Sequence, residues 1–145
     1  MIRYTYSGGW DGIAVYGVDG NYFYSEAIDL SVGDEVTGSI VYTASQWYIT
    51  LNDCDTLDNT TIYTDDVSIG QNALIYCDLE APDGVSTNSQ MPGDTTFSSI
   101  EVKDAYYQTI DISWVGYVNS GWSANLPGLG VYAPSDYTVY LYTNN

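Results

Sequence analysis

Apolar and polar residues alternate with a period of two along most of this chain, and no stretch holds apolar residues at helical spacing through three turns. The alternation predicts strands over Ile2–Tyr6, Gly12–Tyr16, Tyr22–Ile28, Glu35–Thr43, Trp47–Asn52, Thr60–Thr64, Ala73–Glu80, Thr96–Lys103, Thr109–Val118 and Tyr137–Thr143. Several have one plainly apolar face: Trp47, Ile49 and Leu51; Ile75, Cys77 and Leu79; Ile100 and Val102; Ile110, Ile112 and Trp114.

Turn-forming residues separate these runs. Val18-Asp19-Gly20-Asn21, Val32-Gly33-Asp34, Pro82-Asp83-Gly84, Pro92-Gly93-Asp94 and Pro134-Ser135-Asp136 each combine residues that accept turn geometry. Short strands at this spacing predict an all-β fold, a two-sheet antiparallel β-sandwich or jelly roll, with the 145 residues forming a single domain. Val85–Met91 reads as a polar loop, and Asn119–Ala133, with Pro127, Gly128 and Gly130, as a long excursion or lid.

Composition narrows the chemistry. Nineteen acidic side chains face two basic ones, Arg3 and Lys103, for a formal charge of −17, and histidine is absent. Without histidine there is no Ser-His-Asp or Cys-His arrangement, no imidazole base and no His-containing zinc site. A polyanion is a poor partner, because affinity for nucleic acid comes mainly from Lys and Arg on phosphates, and anionic membrane surfaces are disfavoured likewise. No apolar run approaches the ~18 residues of a membrane span. Self-repulsion among carboxylates favours an acidic, salty or calcium-bearing medium, hence a prediction of extracellular, cell-surface or virion life. Met1 is followed directly by Ile2-Arg3-Tyr4 with no basic and apolar leader, so the expectation is a removed leader or delivery by assembly or lysis.

Cys54 and Cys77 are the two cysteines, and the sequence leaves open a disulfide between them or two separate buried thiols. Asp53, Asp55 and Asp58 place carboxylate oxygens in one short loop, a pattern suited to structural calcium, although without EF-hand spacing. Sixteen tyrosines and four tryptophans supply amphipathic rings. Tyr140 and Tyr142 share one strand face, with Tyr137, Val139 and Leu141 on the other; together with Tyr76 and Trp122 they are the candidate binding residues.

Three blocks occur in order between Ile28 and Ala105. Ile28-Asp29-Leu30-Ser31-Val32-Gly33-Asp34-Glu35-Val36 is a strand, a tight turn and a second strand. Asn72-Ala73-Leu74-Ile75-Tyr76-Cys77-Asp78 is a strand ending in a carboxylate, and Met91-Pro92-Gly93-Asp94-Thr95-Thr96-Phe97 with Ser99-Ile100-Glu101-Val102-Lys103-Asp104-Ala105 is a loop feeding a strand. Together these resemble the eqolisins, the G1 glutamic peptidases, whose corresponding patterns are I-x-x-G-D, N-A-E-W-I-x-E and F-G-x-V-x-F-x-N-A. Tyr4-Thr5-Tyr6-Ser7-Gly8-Gly9-Trp10-Asp11-Gly12 resembles their Y-S-x-N-W-x-G opening. The resemblance covers about half the chain and implies a concanavalin-like β-sandwich and, where the site is intact, acid peptidase activity. Eqolisins activate water with a Glu and stabilise the oxyanion with a Gln amide. Here the Glu position carries Asp78, the Trp position carries Ile75, and no Gln precedes Ile28.

Tyr76, Asp78 and Glu80 share one strand face, and Asp78-Leu79-Glu80 resembles the end of the E-x-D-x-E motif of laminarinase-like glycoside hydrolases. Tyr76 occupies the nucleophile position of that motif, where retaining hydrolysis needs a carboxylate. The expected function is therefore a non-catalytic, eqolisin-like structural or assembly module of a surface, filament or virion, binding itself or other structural proteins through Tyr-rich faces. A carbohydrate-binding module on the same fold is the alternative. An acid endopeptidase using Asp78 or Glu80 is the third reading.

Overall fold

In the computed structural model the described residues are 1–4, 8–66, 93–104, 106–116 and 128–143. They are all-β and antiparallel, as the alternation predicts, with no helix among them. Accordingly, no helix among these residues is long and apolar enough to cross a membrane. The chain divides into two compact units, Met1–Ala73 and Leu74–Asn145.

The first unit contains β1 (Ile2–Tyr4), β2 (Trp10–Gly12), β3 (Val15–Val18), β4 (Asn21–Tyr24), β5 (Ile28–Leu30), β6 (Val36–Thr43), β7 (Gln46–Asp53) and β8 (Asn59–Thr64). They form a β1-β2-β5 sheet, a β3-β4 hairpin and a β6-β7-β8 sheet. The two strands expected over Gly12–Tyr16 and Tyr22–Ile28 are each interrupted, because the chain changes partners midway. Ile13 exchanges main-chain hydrogen bonds with the N-terminal residue, its N–H donating to Met1 O at 2.9 Å and its carbonyl accepting from the terminal ammonium at 2.7 Å. One residue later, Ala14 N–H donates to Ser25 Oγ at 2.9 Å while Ser25 N–H donates to Ala14 O at 3.0 Å. The chain thus passes from the first sheet to the β3-β4 hairpin at two buried residues, Ile13 at 1% exposure and Ala14 at 2%.

Gly12 faces Leu51 of β7 so closely that any Cβ there would overlap Leu51 Cδ2 and crowd Leu30 and Ile28. Absence of a side chain is what lets the β1-β2-β5 sheet lie against the β6-β7-β8 sheet at this point. The hairpin turns follow backbone chirality. Asp19 (φ 51°) and Gly20 (φ 78°) connect β3 to β4, and Ala44 (φ 50°) and Ser45 (φ 66°) connect β6 to β7. Two successive left-handed residues make type I′ turns, whose twist matches the strands they join. Between β5 and β6, Gly33 (φ 101°) sits at the third position of a turn closed by Asp34 N–H to Ser31 O. The strand, turn and strand expected from Ile28 to Val36 are all present.

The second unit contains β9 (Thr95–Phe97), β10 (Gly130–Ser135) and β11 (Thr138–Tyr142), with β11 central and Val139 buried. Here the expectations need correction. Gly130–Ser135 is a strand, although Asn119–Ala133 reads as an excursion; Gly130 pairs regularly with Tyr142, and Pro134 is absorbed by a β-bulge. Tyr132 pairs with Tyr140 and Ser135 with Thr138, so Ala133 and Pro134 together oppose Val139. A bulge tolerates the missing proline N–H. Residues 109–116 of the expected Thr109–Val118 strand lie outside any sheet. Thr109 forms an isolated bridge with Lys103, Ile110 N–H donates to Val102 O, and beyond that point Trp114 donates its indole N–H to Asp136 O at 3.0 Å. Thr96–Lys103 is likewise strand only through Phe97. The Ala73–Glu80 strand and the Val85–Met91 loop lie outside the described residues.

Arg3 and Asp11 stand opposite each other across β1 and β2, and the guanidinium donates from Nε to Oδ1 at 2.7 Å and from Nη2 to Oδ2 at 3.0 Å. The hydrogen bond to Asp11 holds the Arg3 pKa above its ordinary value. Arg3→Met would leave the buried Asp11 carboxylate without these donors and should destabilise the protein by about 1–3 kcal/mol in urea unfolding, the usual cost of losing a charged hydrogen bond at a half-exposed site. Gly12→Ala should destabilise by about 1–3 kcal/mol through overpacking against Leu51 in the same measurement.

Candidate functional site: a tyrosine ladder and an acidic turn

Aromatic residues at opposed strand positions meet in pairs. Tyr16 stacks on Phe23 across β3 and β4, with centroids 4.9 Å apart and planes at 17°. Tyr42 meets Trp47 across β6 and β7 at 5.0 Å, and Tyr48 meets Tyr63 across β7 and β8 at 6.2 Å. Such pairs contribute roughly 0.5–1.5 kcal/mol each beyond area burial.

The most extended set is in the second unit. Tyr132 of β10 stands opposite Tyr140 of β11, with centroids 6.2 Å apart and planes at 14°. Tyr142, two residues on and on the same face, continues the row at 6.3 Å and 20°. Tyr142 lies over Gly130, its strand partner, which has no side chain to compete for that space. While Val139 on the opposite face is buried, Tyr132 is 56% exposed and Tyr142 40% exposed. The predicted sharing of one face by Tyr140 and Tyr142 is therefore found, and Tyr132 joins them. The period-2 run Gly130-Val131-Tyr132-Ala133 carried that signal, masked by the surrounding Pro and Gly residues. Tyr76 and Trp122, the other candidate binding residues, lie outside the described residues.

A second cluster forms where the β5-β6 turn meets the β7-β8 turn. Carboxylate oxygens of Asp34, Asp53 and Asp55 all lie within 4.8 Å of one another. Asp53 and Asp55 were expected together; Asp34, 19 residues earlier in the chain, takes the third place. Asp58 instead contributes its main-chain carbonyl, accepting from Asp53 N–H at 2.9 Å, and its side chain is exposed. Each clustered carboxylate already serves the backbone. Asp34 Oδ2 accepts from Ser31 N–H at 2.6 Å and Asp55 Oδ2 from Glu35 N–H at 2.8 Å. Asp53, 1% exposed, accepts Asp55 N–H and Thr56 N–H on Oδ1 and the Thr56 hydroxyl on Oδ2. The oxygen set suits a hard cation such as calcium, which takes six to eight oxygen ligands. Its evident role is to tie two turns together.

Burial by itself would push the Asp53 carboxyl pKa up. The N–H of Asp55, the hydroxyl and N–H of Thr56 and a hydrogen bond with Asp34 outweigh it, so the pKa lies below the usual carboxylate value. Cys54, next in the turn, carries a free, exposed thiol, with Sγ 3.8 Å from Thr37 Oγ1. Cys77 lies outside the described residues, as do Asp78 and Glu80, the candidate catalytic carboxylates. Comparisons with protein-family models, curated proteins and solved structures find no match to this chain.

A depressed carboxyl pKa adds stability that is complete above the unfolded value, about pH 4, and is lost as pH falls through the folded value. Asp53→Asn should therefore lower the urea midpoint at neutral pH. It should also reduce the further loss of stability between about pH 4 and pH 2, measured by fluorescence-monitored unfolding at each pH.

Proposed function

We propose that this chain is a non-catalytic structural module, of eqolisin-like β-sandwich design, that assembles with itself or other structural proteins of a surface, filament or virion through its Tyr-rich faces. The observation that carries the reading is the stacked row of exposed Tyr132, half-buried Tyr140 and exposed Tyr142 on an uncharged sheet face. Tyrosine offers large, rigid, amphipathic contact area at low cost in side-chain entropy, which is why it is enriched where proteins meet. Strands β9, β10 and β11 contain no charged residue, so a partner can approach that face without desolvating a carboxylate. The absence of histidine removes the usual base for chemistry near neutral pH.

A carbohydrate-binding module is the second reading, favoured by the same nearly parallel rings, because tyrosine faces also stack on sugars. The two separate experimentally. Light scattering across a concentration series should show particles larger than a monomer, and the Tyr140→Ser/Tyr142→Ser double variant should shift the midpoint of assembly at least tenfold upward in concentration. Particles unchanged by the substitution would overturn the role of this face. A glycan array that loses binding with the same variant, in a protein monomeric throughout, would select the carbohydrate reading.

A further inference from the structure

Strand β6, Val-Thr-Gly-Ser-Ile-Val-Tyr-Thr from Val36 to Thr43, is the edge of its sheet among the described residues and carries no charge, in a chain of net charge −17. From Thr37 onward each of its residues is exposed, Ile40 to 68%. Natural edge strands usually carry Lys, Pro, a bulge or an inward charge that blocks pairing, and β6 has none of these in its eight residues. The pairing with β7 fixes which main-chain groups point away from it. Thr43 and Gln46 close the two-residue turn as a hydrogen-bonded pair, so Thr43, Val41, Ser39 and Thr37 direct their N–H and C=O towards β7. Continuing the same parity, Glu35 O accepts from Cys54 N–H at 2.8 Å. Val36, Gly38, Ile40 and Tyr42 therefore direct theirs outward.

We infer that β6 is the seam of a symmetric dimer, in which β6 of a second copy adds antiparallel to it across a two-fold axis at Ser39. The inference rests on the assembly reading above but concerns a different surface. Only registers that oppose outward residues to outward residues preserve the hydrogen-bond pattern. The one centred on Ser39 uses all four: Val36 opposite Tyr42 of the second copy, Gly38 opposite Ile40, and the two symmetric equivalents, each pair exchanging two hydrogen bonds. The side chains are complementary to their own sequence reversed. Gly38 leaves room for Ile40, Val36 lies beside Tyr42, Thr37 faces Val41, and Ser39 faces Ser39. Beyond β6, a Cβ at Gly38 would meet only Thr50 O, at 3.9 Å, so the glycine is not demanded by packing within the sheet.

Charge selects the antiparallel direction. In this antiparallel register Glu35 of one copy lies opposite Thr43 of the other, so the two Glu35 side chains are separated by eight residues of strand, about 27 Å. That exceeds the Debye length of about 8 Å at physiological ionic strength. A parallel, in-register arrangement would set Glu35 beside Glu35. The symmetric interface is thus the one in which two strongly acidic molecules meet along their uncharged strands.

The test uses the full chain. Sedimentation velocity of the parent should show a concentration-dependent dimer or larger species, and Ile40→Lys should raise the dissociation constant at least tenfold. Val32→Lys, an equal charge change in an exposed turn of the same unit, should leave it within about twofold. Ser39→Cys should give, on mild oxidation, a cross-link that peptide mapping places between the two substituted positions, because non-hydrogen-bonded partners bring Cα atoms to about 4.5 Å. This variant also decides the matter if Ile40→Lys does not fold. Assembly that survives Ile40→Lys without a bridge between substituted positions would overturn the seam while leaving the tyrosine-face reading in place. A parent that is monomeric at every concentration would overturn both.

Discussion

A chain with nineteen carboxylates and two cationic side chains must satisfy its acids with something other than lysine and arginine, and main-chain N–H groups supply part of the answer. The ion pairs among the described residues are Arg3 with Asp11 and Lys103 with Glu101. Five other carboxylates among the described residues accept from main-chain N–H groups. Asp53 caps Asp55 and Thr56, Asp34 caps Ser31, and Asp55 caps Glu35. Asp104 accepts from Tyr106 and Gln108, and Asp94 from Thr143. A turn has N–H groups that no ladder uses, and a short acidic side chain reaches them with little loss of side-chain entropy. The acids are therefore part of the folding code, holding the connections between strands.

That arrangement leaves the strands free to be neutral. Strands β3, β4, β6, β8, β9, β10 and β11 contain no charged residue, and their stability comes from ladder hydrogen bonds and opposed side chains, many of them aromatic. Tyr16 with Phe23, Tyr42 with Trp47, and Tyr132 with Tyr140 are each direct partners across a strand pair. Cross-strand pairs of this kind hold register, since a one-residue slip would send every ring to the other face.

The all-β class and the turns at Asp19-Gly20 and Gly33-Asp34 were legible in the sequence because period-2 alternation and Asp-Gly or Gly-Asp punctuation are local signals, whereas the Ala44-Ser45 turn carries no such punctuation. Trp47–Asn52 became Gln46–Asp53, and Tyr137–Thr143 became Thr138–Tyr142. What was not legible depended on partners distant along the chain. The alternation of Ile110, Ile112 and Trp114 is as regular as that of β7, yet those residues lie outside any sheet, because a pattern specifies a face and never supplies a neighbouring strand. Pro134 marked a turn locally and was accommodated as a bulge by Val139. Asp34 joined the acidic turn through a fold contact that spacing among Asp53, Asp55 and Asp58 does not encode. Tyr140 and Tyr142 were found because two positions on one strand share a face regardless of what lies alongside.

Holding turns with carboxylates while seven strands stay neutral gives pH two effects of opposite sign. Protonating carboxylates weakens the long-range repulsion between copies and within each one, which favours the compact state and close approach of neutral strand surfaces. The same protonation removes the charged acceptor from the Asp53-Cys54-Asp55-Thr56 turn, where hydrogen bonds hold the Asp53 carboxyl pKa below its ordinary value. Repulsion relaxes as ordinary exposed carboxyls titrate, whereas a depressed group such as Asp53 keeps its charge to lower pH. Mild acidity therefore reduces repulsion before it releases that turn, and stronger acid reverses the balance. The charge that holds the Asp53 turn is thus kept after the repulsion around it has begun to relax.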